Sequence, residues 1–561
     1  MFWAEQIALN AIERVEKEFN EGKNKEKIIT IRCGQTPSGS KHIGNLNDVI
    51  RAYFVYKILK DKIDEGKFDG NLRFVHTSDD RDPLKDIPKK IMDLDGKWHK
   101  TEDVVKNFEK YLGMPLCRIP DPFGCCKSWS EHFTKVWING LEMLGIKPEI
   151  YYNDDLYKEG KFLPYIKKVF ENREKVSEIV KRFQETKGEN YIPFDAICPN
   201  CGRLVNIYDF DLQNNKVKFE CKGKEIKKRK TEGCGYKGEI DIDEGKLQWR
   251  FEWPAQWGIF NTTFEPFGKD HYEGSWKSGQ VIAKEIFNID PPIPFVYEFF
   301  LVNGEKMSAS KGNVYLVQDI LKILEKEVFI YFYTKKPEKQ RDLNLKEIFR
   351  LVDEFDRIEK IYYENNLKDK KLDELEKDKE LRDIKITYEL SSNVYNKLPR
   401  KVSYSSLSTY FSIFFPVIND KEKTINKVVE IVGKNFDEFD KKILIERIRK
   451  AGEWAINYIP EEEKIKIIDE ENSREIYKNS DEKVKELLKE FIKVIEKAEN
   501  DEKNKKAMDF IGKIKEDENL LKEFYKSIYM VLFGKEKGPK LTTILEIFDI
   551  EFLKKRFENE S

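Results

Sequence analysis

The sequence predicts an α/β protein: a parallel, doubly wound sheet, interrupted by an inserted cysteine-bearing module and followed by an all-helical region. Strand-like and helix-like segments alternate through residues 1–190, and the alternation resumes at 247. Between them, 195–245 breaks into short, lysine-rich segments that carry Cys198, Cys201, Cys221 and Cys234. Beyond 330 the alternation stops, and helical periodicity with many charges runs to residue 561.

In chain order, residues 3–20 place Ile7, Ala8, Ile12, Val15 and Phe19 on one helical face. The β run Ile28 to Ile31 leads into CGQTPSGSKHIGN. A second amphipathic helix follows, with Leu46, Val49, Ile50, Tyr53, Phe54 and Ile58 in register. A strand is expected from Leu72 to His76 before the acidic turn TSDDRD. Another lies within GIKPEIYYNDD (145–155), ahead of a helical stretch over 156–185. From 247 the reading is a tryptophan-rich strand region, the turn FEPFGKDH, a helix near 275–287 and the strand PFVYEFFLV. The divisions expected are 1–190 and 247–303 as two halves of the sheet domain, with a small insertion near 83–132 that suits a metal. The cysteine module fills 191–246, a loop and stem region fills 304–349, and the helical domain covers 350–561. No internal repeat or low-complexity linker is seen.

A chain of 561 residues holds about four domains on the usual length scale. Lysine plus arginine (102) nearly cancels aspartate plus glutamate (103), so nucleic acid must be met by local patches rather than by global charge. The heavy use of Lys, Glu and Ile resembles proteins built for high temperature, a bias that genome composition also produces. No window is apolar enough to cross a bilayer, and the opening MFWAEQIALNAIERVEKEF lacks a signal-peptide core. A cytoplasmic location is expected. Eight cysteines are too few for a disulfide scaffold, and six of them fall into two groups, which points to metal.

Two loops far apart carry the chemistry. The first, Pro37-Ser38-Gly39-Ser40-Lys41-His42-Ile43-Gly44-Asn45, sits between a strand and a helix. Gly39 and Gly44 permit tight turns and close backbone approach, and the helix N-terminus that follows favours a phosphate. His42 can donate to phosphate oxygens as a pentavalent transition state forms. Alone, a glycine-rich turn with a surface histidine fits equally well. The second loop, Gly304 to Asn313, follows a strand and offers Lys306, Met307, Ser308, Ser310 and Lys311. Its lysines and serines suit a leaving pyrophosphate, where positioning and charge matter more than covalent chemistry. Alone, a solvated lysine loop fits as well.

In this order and setting, the pair resembles the "HIGH" and "KMSKS" signatures of class I aminoacyl-tRNA synthetases on a split Rossmann-type nucleotide-binding fold. Two positions depart from the pattern. Asn45 replaces the second histidine and can hydrogen-bond but carries no charge. Ala309 stands at the fourth position of the second signature, which leaves the charge to Lys306 and Lys311. The finer resemblance, over most of 25–320, is to the archaeal-type class I lysyl-tRNA synthetases. It rests on CGQTPSG, HTSDDRDPL, YLGMPL with IPDPFG, WRFEWPAQW, FEPFGKDH and KMSASKGN. None of these fixes lysine by itself; their combination and order carry the likeness. Beyond 350 the likeness is architectural, to the helical anticodon-binding cage of glutamyl-type enzymes.

The resemblance implies a set of roles. His42, Asn45, Lys306 and Lys311 would be catalytic. Pro37, Ser38, Gly39, Gly44, Met307, Ser308 and Ser310 would help hold Mg²⁺-bound ATP, with Asp270 on the ribose hydroxyls. Gly34 and Thr36 would border a lysine pocket lined by Trp249, His271 and Tyr297, with Asp79 and Asp80 as partners of an ammonium. A desolvated cation–π contact is worth about 2 kcal/mol, too little alone to reject arginine or ornithine. For each aromatic, core packing is the plain alternative, and for each aspartate a cap or loop role. The implied reaction makes lysyl-adenylate and transfers lysine to the 2′-hydroxyl of the terminal adenosine of tRNA(Lys). The rivals are another class I specificity, such as glutamate or arginine, and a non-catalytic zinc-bearing RNA-binding protein on a synthetase fold. A glutamate enzyme should offer arginine where this chain has Asp79, Trp249 and Tyr297. The presence of His42, Lys306, Gly44 and Gly312 speaks against a non-catalytic relic.

Cys198, Cys201, Cys221 and Cys234, flanked by Gly202, Gly233 and Gly235, have the spacing of a closed tetrahedral zinc site. Such a site would contribute on the order of 10 kcal/mol to a module with little apolar core of its own. The basic run Lys222, Lys224, Lys227, Lys228, Arg229 and Lys230 inside it suits either tRNA phosphates or a solvated loop. Asp121, Cys125, Cys126 and His132 form a second group of acceptable zinc ligands. The residues alone favour an ordinary helix-face histidine, whereas the resemblance implies a metal in this region. Cys33 and Cys117 read as buried small residues.

Overall fold

A computed structural model describes residues 2–183, 191–226, 229–308, 312–462, 464–498 and 502–557, without the side chains of 224–226, 229 and 230. It divides into two units. One comprises Met1–Ile320, Phe329–Asn344 and Asn366–Asn393, and the other Leu321–Val328, Leu345–Asn365 and Val394–Ser561.

The first unit is built on five parallel strands: β1 (Ile28–Gln35), β2 (Asn71–Ser78), β3 (Glu149–Tyr152), β4 (Phe264–Gly268) and β5 (Ile293–Tyr297). They lie in the order β5-β4-β1-β2-β3. From β1 the chain works outward through β2 and β3, and later returns to the other side of β1 with β4 and β5. The switch in direction between β1 and β4 opens a crevice at the carboxyl ends of the strands. β1 is buried nearly throughout because helices cover both faces of the sheet, which explains its continuous run of β-branched residues. Among the covering helices, α1 (Trp3–Asn20) buries Ile7, Ala8, Ala11 and Val15, and α2 (Leu46–Asp64) buries Val49, Ile50, Phe54 and Ile58. Phe19, expected on the buried face of α1, is 41% exposed at its last turn.

Three expected elements need correction. The tryptophan-rich segment is a helix, α3 (Trp249–Ile259), not a strand. Trp249, Trp253 and Trp257 recur every fourth residue, so their rings lie on one helical face; Trp249 and Trp253 stack at 5.3 Å between centroids. The run PFVYEFFLV is two strands in separate sheets. β5 ends at Tyr297, and Phe300–Val302 pairs instead with Arg341–Leu343, a strand beyond the point where only helices were expected. Finally, the helix near 275–287 is a short α-helix, Lys277–Ile282, between two π-helical turns, Tyr272–Trp276 and Ala283–Phe287.

The cysteine module is a five-stranded sheet whose neighbouring strands pair antiparallel, with a separate antiparallel pair, Gly223–Ile226 and Arg229–Glu232. It is better packed than its composition suggested. Phe194, Val205, Val217 and Phe219 join one core with Ile166, Val169 and Ile179 from the helices Leu163–Glu171 and Arg173–Phe183. The apolar support comes from outside the module, where local composition does not register it.

The second unit is helical. Helices such as Glu438–Asn457, Glu482–Glu496 and Glu518–Phe533 begin at aspartates whose side chains accept from the first-turn amides. Val484, Leu488, Phe491, Ile492 and Ile495 form the buried stripe of one of them, with charged residues elsewhere on its surface. No described helix is long and apolar enough to cross a membrane.

Candidate active site

Two cavities open in the first unit at the ends of β1, β4 and β5, one of about 300 Å³ and one of about 630 Å³. Asn45, Asp48 and His271 line both, so the cavities meet at a common wall.

The larger cavity contains the loop residues. His42 caps the 3₁₀ turn Ile43–Asn45, and its Nδ1 accepts the Gly44 amide hydrogen at 3.1 Å. The ring proton of the neutral imidazole therefore sits on Nε2. Burial, helped by Lys41 and Lys306, brings the imidazole down to about 4, so near neutral pH it is an uncharged donor. Gly44 is required by the histidine: a Cβ there would lie 2.8 Å from the His42 ring and 3.2 Å from Met307 Cε. The amide of Ile43 donates to the Tyr315 carbonyl at 2.8 Å, which ties the two loops together. In the second loop, Asn313 Oδ1 accepts the Ser308 amide hydrogen at 2.9 Å, and its Nδ2 donates to the Lys306 carbonyl at 3.2 Å. The Lys306 ammonium lies 4.6 Å from the centroid of the Phe299 ring. Lys306, Met307, Asp270 and Tyr297 line this cavity with His42, Gly44 and Asn45. Pro37, Ser38, Gly39 and Ser308 line neither cavity, and Ser310 and Lys311 lie outside the described residues. Ser38 Oγ accepts from Lys41 Nζ at 3.3 Å, and Gly39 takes a φ of +148° beside Pro88.

The smaller cavity is walled by buried charge. Arg32, on β1, donates from Nη1 to Glu265 Oε1 (2.5 Å) and from Nη2 to Thr77 Oγ1 (2.6 Å) and Gln256 Oε1. Glu265 also accepts from the indoles of Trp253 and Trp257, each at 2.9 Å. Asp79 Oδ1 accepts from Asn153 (3.0 Å) and Gln256 (2.8 Å), and burial raises its carboxyl above the usual range. Asp82 is engaged at both oxygens, by Lys246 at 2.5 Å and by Thr36 Oγ1 at 2.9 Å. Burial alone would raise the Asp82 carboxyl, but Lys246 and Lys85 outweigh it and hold it at about 2. Lys246 also reaches Glu252 Oε2 at 2.9 Å, and Tyr157 donates to the other oxygen at 2.8 Å. The side-chain amide atoms of Gln35 are buried without a hydrogen-bond partner among the described residues, beside the same cavity.

Gly34, Thr36, Asp79, Trp249 and His271 therefore come together at the smaller cavity. Two expected members do not. Tyr297 lines the larger cavity and donates to Asp48 Oδ1 at 2.6 Å. Asp80 lines neither: β2 ends at Ser78, a turn closed by the Asp82 amide on the Asp79 carbonyl (3.1 Å) follows, and within it Asp80 Oδ1 accepts the Asp154 amide hydrogen at 2.8 Å. Burial pushes the Asp80 carboxyl up to about 8. Sequence reasoning missed Arg32, Asp48, Asp82, Lys246, Glu252, Gln256 and Glu265. A signal was present: Arg32 interrupts an otherwise apolar strand, and a buried arginine needs an acid.

Both proposed metal groups are assembled, with ligand atoms of each set within 4.8 Å of one another. Cys198–Cys234 and Cys201–Cys221 place their sulfurs 3.6 Å apart, close to the edge of about 3.8 Å for a tetrahedron with zinc–sulfur distances of about 2.3 Å. The Cys234 amide points at Cys221 Sγ at 3.4 Å. In the second group, His132 Nε2 faces the Met92 carbonyl at 3.0 Å and so must carry its hydrogen. Nδ1 then presents a lone pair to Asp121 Oδ1 at 3.2 Å and Cys125 Sγ at 3.3 Å. Three electron-rich atoms facing inward suit a shared cation. Asp121 Oδ2 is itself oriented by the amides of Cys125 and Cys126, both at 2.6 Å. Cys33 is buried as expected, and Cys117 is partly exposed.

A five-stranded parallel sheet with adjoining cavities at its switch point, and a glycine-bearing loop leading into a helix there, defines a Rossmann-type nucleotide-binding domain. The model of the family "tRNA synthetases class I (K)" matches residues 1–389, and the chain belongs to that family. The lysine–tRNA ligase of Haloarcula marismortui is 33% identical over 99% of this chain and 96% of its own. That of Methanocaldococcus jannaschii is 34% identical over 99% of both. A solved glutamate tRNA ligase from Elizabethkingia meningosepticum aligns over 94% of this chain and 98% of its own, at 13% identity and a TM-score of 0.40.

Proposed function

We propose that this protein activates L-lysine with Mg²⁺-bound ATP and transfers it to tRNA(Lys). The observation that carries the reading is the shared wall: an acid-rich cavity for a small cation opens beside a larger cavity furnished with phosphate-binding donors. In the first step a lysine carboxylate oxygen attacks the α-phosphorus, the bond to the bridging oxygen breaks, and pyrophosphate leaves. His42 donates from Nε2 to the crowded phosphate oxygens, Asn45 adds a neutral hydrogen bond at the junction, and Lys306 follows the leaving group. Asp270 accepts from the ribose. In the second step the terminal 2′-hydroxyl attacks the lysyl carbonyl carbon and AMP departs. No side-chain nucleophile is needed; rate enhancement comes from positioning and fixed dipoles.

For the amino acid, Asp79 meets the side-chain ammonium, oriented by Asn153 and Gln256, while Trp249 and His271 cover the aliphatic stem. Gln35 offers an unspent amide. This arrangement disfavours glutamate: Arg32, the guanidinium at this cavity, is committed to Glu265, Thr77 and Gln256. The four-cysteine group would hold a structural zinc that cross-links the module, with no position left for chemistry. Asp121, Cys125, Cys126 and His132 would hold a second. The helical second unit is assigned to the anticodon.

The test is charging of bulk tRNA with each labelled amino acid in turn. Lysine is expected to be charged, and His42→Ala or Lys306→Ala to slow charging by roughly 10²-fold or more. Charging with another amino acid, or with none by folded protein, rejects the reading.

A further inference from the structure

The small cavity is lined by four carboxyls, Asp48, Asp79, Asp82 and Glu265. Three are occupied from within the fold or lie away from the larger cavity. Both oxygens of Asp82 are taken by Lys246 and Thr36, and both of Glu265 by Arg32 and two indoles. Asp79 is held by Asn153 and Gln256 and lines the small cavity only. Asp48 differs in both respects. It projects from the first turn of α2 and lines both cavities, as no other carboxyl among their described lining residues does. Its one hydrogen bond among the described residues is at Oδ1, from Tyr297 at 2.6 Å.

The chemistry of the substrate decides what such a carboxyl faces. The reacting carboxylate of an amino acid must stand at the junction, because the α-phosphate lies in the other cavity. The α-ammonium is attached to the next carbon and so stands at the junction too. We infer that Asp48, steadied by the Tyr297 hydroxyl, is the acceptor for the α-ammonium of the amino-acid substrate, which leaves Asp79 to the side-chain ammonium. This inference rests on the lysine-activating reading and deepens it, and it gives Tyr297 an indirect place in amino-acid binding although it lines the larger cavity. Burial, with Glu265 and Asp270 adding like charge, pushes the Asp48 carboxyl up to about 7 in spite of the Tyr297 bond. An arriving cation relieves that burden, so the free site is primed for a positive ligand.

The experiment uses full-length protein in ATP–pyrophosphate exchange with tRNA(Lys) present. It measures KM for lysine, KM for ATP, and the inhibition constant of 6-aminohexanoate, which is lysine without its α-ammonium. In wild type the analogue should bind roughly 10- to 100-fold more weakly than lysine, the worth of a charge-assisted hydrogen bond. Asp48→Asn should raise the lysine KM by a similar factor, leave the analogue's inhibition constant within about twofold, and leave the ATP KM unchanged. Asp48→Glu should recover part of the lysine affinity. A rise in the ATP KM alone would assign Asp48 to the nucleotide and overturn the inference. Equal weakening of lysine and analogue would overturn it as well, by showing a general effect on the pocket. If Asp48→Asn fails to fold, the same comparison is made with Tyr297→Phe, for which a smaller selective loss is expected and equal losses again reject the inference. Failure of wild type to activate lysine at all would reject the lysine reading itself, a result distinct from these.

Discussion

The two cavities solve different electrostatic problems with different materials. The smaller is walled by charges neutralised within the fold: Arg32 against Glu265, and Lys246 between Asp82 and Glu252, all buried. The larger uses a neutral imidazole, an amide and a lysine over an aromatic ring. A recognition pocket gains from charges fixed before the ligand arrives, since the ligand then meets a set geometry. A site for phosphoryl transfer needs donors aimed where negative charge develops, and a charged histidine is not required for that. Selectivity should therefore reside in the buried network and turnover in the loops.

The comparison breaks most easily at the buried pairs. Glu265→Gln leaves Arg32 buried without its carboxylate and should destabilise the protein by about 3–5 kcal/mol, read as a fall in the denaturation midpoint. A loss below about 1 kcal/mol would show that the network is not a rigid frame. Next in size, His42→Ala removes a transition-state donor and should lower kcat by roughly 10²- to 10³-fold, with little change in the lysine KM. Asp79→Asn should do the reverse, raising the lysine KM by roughly 10- to 100-fold with kcat nearly intact.

The smallest effect concerns pH. The Asp48 carboxyl ionises near 7 in the free protein, and only its ionised form attracts an ammonium. The lysine KM should fall as pH rises through about 7 and level off above it, with up to about a tenfold change per unit below. Asp48→Asn should flatten the profile. Stability carries the opposite sign: the raised carboxyl stabilises the protein at low pH, and that contribution is lost as pH rises from about 4 towards 7. A lysine KM profile that rises with pH would contradict the assignment.

What the sequence disclosed follows from how local each feature is. The sheet was legible because β1 is a β-branched run ahead of an amphipathic helix and because strand-like and helix-like segments alternate, and the helical unit because stripes such as Val484 to Ile495 repeat at the helical period. The four-cysteine group was legible because its spacing is short. The tryptophan helix was misread because indoles favour strands by propensity, although Trp249, Trp253 and Trp257 recur at helical spacing. The break in PFVYEFFLV is set by the partner strand Arg341–Leu343, some forty residues away along the chain. The walls of the smaller cavity depend on pairings such as Arg32–Glu265 and Asp82–Lys246, which no local pattern announces. Asp80 was expected to act with Asp79, but the chain turns immediately after β2, and within that turn Asp80 is taken up by the Asp154 amide, a partner some seventy residues away along the chain.

The measurement that tests the division most directly is lysine-dependent ATP–pyrophosphate exchange in Asp79→Asn and His42→Ala, with kcat, lysine KM and ATP KM resolved separately. A division of labour predicts that Asp79→Asn moves the lysine KM and His42→Ala moves kcat, each with little trespass on the other's constant. If both variants shifted the same constants together, the cavities would be acting as one site, and the assignment of selectivity to one and turnover to the other would be wrong.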